Sequence, residues 1–186
     1  MRKLIAIGGL PASGKTTLMK KFMEGLTLER IEPVKLVVSM HDQKNNLTIH
    51  GDYSDPGEKF PGLDRWSMAV QPAAVEFLKS TKTNILFEGD RIFTASYLEQ
   101  AGELADANEL ELHVIILEAD PKIVHQRHID RADTQTKQFL KGRDTKYDNI
   151  RASFVLMPYI TVMQNNTLDD MEHTLTWLNE KLDIAR

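Results

Sequence analysis

The stretch Gly9-Leu10-Pro11-Ala12-Ser13-Gly14-Lys15-Thr16 meets every fixed position of the pattern G-x-x-x-x-G-K-[ST]. Glycines at those places let the main chain curl until successive N–H groups point inward, where they can hold phosphate oxygens. The next two residues complete the chemistry: an ammonium for β- and γ-phosphates, and a hydroxyl for a Mg²⁺ ion. At average residue usage the four fixed positions coincide by chance in fewer than roughly 1% of chains this long. The spacing predicts a site for ATP with Mg²⁺ built by Gly9, Pro11, Ala12, Ser13, Gly14, Lys15, Thr16 and Thr17.

A phosphate loop alone does not select a reaction. The guanine-reading tetrad Asn-Lys-x-Asp is absent, and motor ATPases usually need a longer chain. A small kinase needs an acidic group near Mg²⁺, an acceptor site and arginines that cover the phosphates. Glu88 ends the apolar run Ile85-Leu86-Phe87 and is the expected metal acid, with Thr16 as its companion. Asp90 and Arg91 follow and are assigned to the substrate. Between Gln126 and Arg151 lie seven basic residues against four acidic ones, a net of +3 that leaves −7 on the rest of the chain. Its pairs Arg127–Arg131 and Lys137–Lys141 are like-charged at i,i+4, which weakens a bare helix and favours an anionic ligand. Arg131 and Arg143 are placed over the transferring phosphoryl group, Lys146 beside the substrate, and Arg127 and Asn165 beside the nucleotide.

The acceptor side has two readings. Asp64, Arg65, Trp66 and Gln71 cluster at a loop–helix boundary. Asp64 can take a hydroxyl proton, Trp66 can stack on a base, and the Gln71 amide can match a pyrimidine edge. Ser67 and Gln71, four apart, then share one helix face. In the bland alternative Asp64 is a helix cap and Trp66 is core. Asp42, just after a second apolar run, competes with Asp64 as general base. His41 and His50 lack the dense spacing of a metal site.

Those residues need a scaffold. Leu4–Ile7, Val34–Val38, Ile85–Phe87, Leu112–Leu117 and Ile160–Met163 read as strands, with Asn46–His50 as a small ribbon. Helices are expected from Thr17 to Gly25, Ser67 to Ser80 with Met68 inward and Pro72 kinking it or marking its true start, Ala95 to Ala107, after Asp120-Pro121, and Asp169 to Leu182. Strands alternating with helices predict a three-layer α/β sandwich around a five-stranded parallel sheet, with an arginine-rich lid at about 126–151. All 186 residues fit one domain, and 41% hydrophobic content fills one core. A net charge of −4 excludes coating of nucleic acid by bulk positive charge. The absence of cysteine excludes disulfides, thiol catalysis and thiolate metal sites. No apolar run reaches membrane-spanning length, so a soluble intracellular protein is expected, with no membrane and no obligatory protein partner.

Three stretches carry a family resemblance. They are Gly9–Thr16; Gly62-Leu63-Asp64-Arg65-Trp66-Ser67-Met68-Ala69-Val70-Gln71-Pro72; and Phe139 to Ile150, with Phe87-Glu88-Gly89-Asp90-Arg91 between them. In these the chain resembles the P-loop kinases with which bacteriophages modify their own DNA, the 5-hydroxymethyluracil DNA kinases. The resemblance implies phosphate transfer from ATP to the hydroxymethyl group of a modified pyrimidine in DNA, in the cytoplasm of an infected bacterium. It puts Asp64 and Arg65 at the acceptor, and Arg131, Arg143 and Lys146 at the phosphates. Nucleoside and nucleoside monophosphate kinases share the architecture, so a free nucleotide is the alternative acceptor. A nucleotide-binding switch is the non-enzyme alternative.

Overall fold

A computed structural model describes residues 1–55, 57, 61–130 and 137–185, with the backbone alone for 137–141. In chain order the strands are β1 (Lys3–Gly8), β2 (Glu29–Ile31), β3 (Ser39–Asp42), β4 (Leu47–His50), β5 (Asn84–Glu88), β6 (Glu111–Glu118) and β7 (Ile160–Gln164). The helices are α1 (Lys15–Met23), α2 (Gln71–Ser80), α3 (Ala95–Asp106), α4 (Pro121–Asp130), α5 (Lys137–Ala152) and α6 (Leu168–Lys181). All seven strands form one sheet, in the order β2-β3-β4-β5-β1-β6-β7. From β4 to β7 neighbours run parallel, while β3 runs antiparallel to both β2 and β4.

Because alternate residues of a strand face opposite ways, β1 feeds two cores. Leu4 and Ala6 pack with Phe87, Phe77, Tyr97 and Ile150 under α2, α3 and α5. Ile5 and Ile7 pack with Leu18, Phe22, Leu175 and Leu178 under α1 and α6. Helices thus cover both faces, and the strand ends are where the chain is free to build a site. Asp120 accepts from the Lys122 N–H at the start of α4. Thr167 and Asp170 form a reciprocal capping box at the start of α6.

The expected five-stranded parallel sheet is corrected to seven strands with an antiparallel edge. Val34–Val38 is not a strand: after Pro33 the chain turns, with the Val37 N–H donating to the Val34 carbonyl and Leu36 at φ 75°. The second parallel strand is instead Leu47–His50, which pairs with β5 on one side and makes a hairpin with β3 on the other. The helix expected from Ser67 begins only at Gln71, with Pro72 in its first turn, where a missing N–H costs nothing. Ser67 and Gln71 therefore do not share a helix face, and Met68 is 82% exposed.

Candidate active site at the carboxyl ends of the central strands

Between β1 and α1 the chain turns through the glycine loop. Gly14, at φ 96°, occupies the left-handed region, and a Cβ there would strike the Asn165 amide. The loop is held from outside by its carbonyls. The Asn165 amide donates to the Ser13 carbonyl at 2.7 Å, and Arg127 donates to the carbonyls of Ala12 at 3.2 Å and Asn165 at 2.9 Å. Tyr147 donates its hydroxyl to the Gly9 carbonyl at 2.8 Å. Lys15 folds back onto the carbonyls of Gly9 and Leu10 at 2.7 and 3.1 Å. What the loop has left to offer an incoming anion is its N–H groups and the first turn of α1. A cavity of about 280 Å³ lies behind it, lined by Leu10, Ser13, Val124 and Tyr147 among others. The Ser13 hydroxyl is buried with no hydrogen-bond partner among the described residues. Pro11 is half-buried and Thr17 exposed beside this turn.

Glu88 stands next door, because Ile7 of β1 pairs with it in parallel register. Its carboxylate is 4% exposed and accepts from Thr16 Oγ1 at 3.0 Å and from the Tyr53 hydroxyl at 3.3 Å. Burial pushes its pKa up, against the pull of Lys15 and the Thr16 hydrogen bond. Desolvation likewise lowers Lys15, opposed by Glu88, Asp90 and Asp64. Thr16 and Glu88 suit Mg²⁺, a hard cation that takes one or two protein oxygens and fills its shell with water and phosphate. Among the described residues no group of three or more His, Cys, Asp or Glu forms a fuller metal cage.

Asp64 sits in a short 3-10 turn, Leu63–Arg65. A two-residue bridge, Asp52 with Gly62, fixes the approach to that turn. Partial burial and the charge of Asp90 push the Asp64 carboxyl up, while Arg91, Lys15 and Arg143 pull it down. Arg91 clamps the turn by donating to the Asp64 carbonyl at 3.2 Å and touching the Met68 sulfur.

Asp90 is a hub rather than a bare substrate ligand. It pairs with Arg143 at 3.1 Å and Lys146 at 3.4 Å, and the Tyr147 hydroxyl lies 3.0 Å from it. Lys146 also donates to the Asp90 carbonyl at 2.7 Å. Three side chains from little more than one turn of α5 are therefore tied to the strand end that carries Glu88. Arg131, assigned to the transferring phosphate, lies outside the described residues.

Three assigned residues are placed elsewhere. Asp42 ends β3, which runs antiparallel to β4, so it pairs with Leu47 at the opposite end of the sheet. There it caps a turn by accepting from Asn45 N and Nδ2. Trp66 is 4% exposed, donates Nε1–H to the Val38 carbonyl at 2.7 Å and packs on His50, so its ring is core and not a base platform. Gln71 spends its amide on Ser96 and Thr94, linking the starts of α2 and α3. In return the structure adds Tyr53, Asp52 and Tyr147. Asp52 had a legible signal: it follows a strand that ends at the glycine loop, once Leu47–His50 is read as that strand. Tyr147 had none beyond its place in the basic segment.

The sequence matches the family model described as "AAA domain" over residues 4–155. The chain belongs to that family. No protein with a curated description matches it. Among solved structures it is similar to a gluconokinase from Sinorhizobium meliloti 1021, at 17% identity and a TM-score of 0.52, covering 98% of this chain and 97% of that one. It is also similar to a sugar kinase from Janibacter sp. HTCC2649, at 14% identity and a TM-score of 0.49, covering 100% and 99%. The first likeness establishes the α/β P-loop kinase-like fold. No helix among the described residues is long and apolar enough to cross a membrane.

Proposed function

We propose that the protein is an ATP-dependent phosphotransferase that phosphorylates a hydroxyl group, and that this hydroxyl is the hydroxymethyl group of 5-hydroxymethyluracil in DNA. One observation carries the reading. The glycine loop, the Thr16–Glu88 pair and the 3-10 turn that carries Asp64 meet at the carboxyl ends of β1 and β5. The donor half then holds the triphosphate by main-chain N–H groups and Lys15. Thr16 and Glu88 would hold Mg²⁺, which when bound neutralises phosphate charge. The acceptor oxygen forms a bond to the γ-phosphorus as the bond to the ADP oxygen breaks. Its proton passes to the Asp64 carboxylate. Arg143 and Lys146 exchange Asp90 for the charge that moves in the transfer, and with Arg127 they form the base of an arginine-rich lid.

The DNA acceptor rests on the resemblance of Gly62–Pro72 and of the basic segment to the phage kinases. A small free acceptor, nucleotide or sugar-like, is the second reading. The net charge of −4 favours it, as does a fold shared with a gluconokinase. Radiolabelled ATP offered with hydroxymethyluracil duplex, thymine duplex, free nucleosides and nucleotides, and gluconate separates them. Label on the modified duplex alone is the expected result. Label on a free compound alone transfers the proposal to that compound, and label on none leaves a nucleotide-binding module.

A further inference from the structure

At the carboxyl end of β4, beside the acceptor half, a buried carboxylate holds two guanidinium groups. Asp52 is 5% exposed. Its Oδ1 accepts from the Ser54 N–H at 3.1 Å and the Ser54 hydroxyl at 2.5 Å. Its Oδ2 faces Arg30 Nε at 3.3 Å and Arg65 NH1 at 3.4 Å. Burial by itself pushes the Asp52 pKa up, but Ser54, Arg30 and Arg65 outweigh it and hold the group below the ordinary carboxylate range. The cluster is therefore one anion and two cations at neutral pH.

Arg30 ties β2 to Asp52 and Arg65 ties the 3-10 turn to it, and one guanidinium already neutralises the carboxylate. The second leaves a net charge of +1 on side chains that stay 48% and 36% exposed for Arg30 and Arg65. Each guanidinium has five N–H donors; Arg30 uses one of them on Asp52, and Arg65 faces Asp52 as an ion pair at 3.4 Å. Arg65 follows Asp64 directly, so this charge is carried by the same 3-10 turn as the proposed acceptor-side carboxylate. Two planar forks oriented by one buried anion form a preorganised receptor for an oxyanion.

We infer that Arg30 and Arg65, oriented by Asp52, form a subsite for an anionic group on the acceptor, so that the enzyme selects acceptors bearing a phosphate or carboxylate a short distance from the reacting hydroxyl. The inference rests on the reading of Asp64 as the acceptor-side base. An oxyanion of this kind has three sources: a phosphodiester of a DNA strand, the phosphate monoester of a free nucleotide, or the carboxylate of a sugar acid.

The test compares matched acceptors in transfer from ATP. They are hydroxymethyluracil duplex against the same duplex with neutral methylphosphonate linkages flanking the modified base, 5-hydroxymethyldeoxyuridine monophosphate against its nucleoside, and gluconate against glucitol. In wild type the anionic member of the productive pair should be used with at least tenfold higher kcat/KM. Arg30→Gln and Arg65→Gln should each raise KM for the anionic acceptor about tenfold, with a smaller change in kcat. Arg30→Lys should recover part of that loss. Equal use of charged and neutral members, or equal effects of the variants on both, would overturn the inference. Should no acceptor be phosphorylated, the transfer reading fails separately. Calorimetry with the same nucleotide, nucleoside, gluconate and glucitol then decides the subsite. Anion-dependent binding that weakens in both glutamine variants supports it, and wild-type protein that does not distinguish charged from neutral compounds refutes it. Thermal melts of each variant exclude unfolding as the cause.

Discussion

On the donor side of the cleft the working surface is main chain: a loop of eight residues whose carbonyls are pinned by Lys15, Arg127, Tyr147 and Asn165. On the proposed acceptor side it is side chains on irregular backbone, with Asp64 and Arg65 carried by a 3-10 turn behind a single bridge and Arg91 by the turn after β5. A backbone cradle serves any nucleotide phosphate and tolerates no change of conformation. A side-chain surface is rebuilt by a few substitutions, so acceptor choice can vary while the donor half stays fixed.

Breaking the donor half should have the largest effect. Lys15→Ala removes the only ammonium seated in the loop, and turnover should fall by about 10²- to 10³-fold or more while the melting profile persists. Steady-state kinetics with a circular dichroism melt checks both. Asp64→Asn tests whether the acceptor half is separable. Transfer should fall about 10²-fold or more while nucleotide binding, read by calorimetry, stays within a few fold. Its pH profile sharpens the point. Asp64 must be ionised to accept a proton and its pKa is raised, so kcat/KM should climb with pH through a limb above the ordinary Asp range. In Asp64→Asn any acid limb that remains belongs to Glu88, which is raised as well.

His50 gives a stability contrast beneath the acceptor half. Its ring is fully buried between Trp66 and Phe77, Nδ1 meets Ser39, and burial pushes its pKa down to about 3. The unfolded chain protonates near 6.5 while the folded chain does not, so stability is full above that pH and is lost as pH falls toward 3. Each pH unit in that window costs about 1.4 kcal/mol. His50→Phe should flatten the loss, as urea titrations at pH 7 and 5 would show. The smallest effect is expected from Tyr147→Phe, which deletes the bond to the Gly9 carbonyl. It should lower stability by about 1 kcal/mol, a Tm shift of about 2–4 °C, and weaken nucleotide binding severalfold.

The same contrast explains what could be read before any coordinates. The glycine loop, Glu88 at a strand end, the start of α4 at Pro121 and the sheet's central strands follow from local pattern, because each depends on neighbours within a few residues. Asp42 is expected just after Val34–Val38, but that run is a turn and Asp42 ends β3, whose direction no periodicity reveals. One antiparallel pairing moved that aspartate to the far end of the sheet. Trp66 and Gln71 were misread because their partners, Val38 and Ser96, are 28 and 25 residues away. Arg30 carries no local signal, since its bond to Asp52 spans 22 residues and forms only when β2 is folded beside it.

The hydrogen bonds that shape the glycine loop from Arg127, Tyr147 and Asn165 close sequence separations of 115, 138 and 152 residues. During synthesis, then, the motif leaves the ribosome long before the groups that give it form. A nascent chain halted ahead of Asn165 carries the signature without the bonds that shape it, and nucleotide can reward only a chain extended past Asn165. Ligand-driven stabilisation therefore arrives at the last step of assembly, where it favours complete molecules over truncated ones.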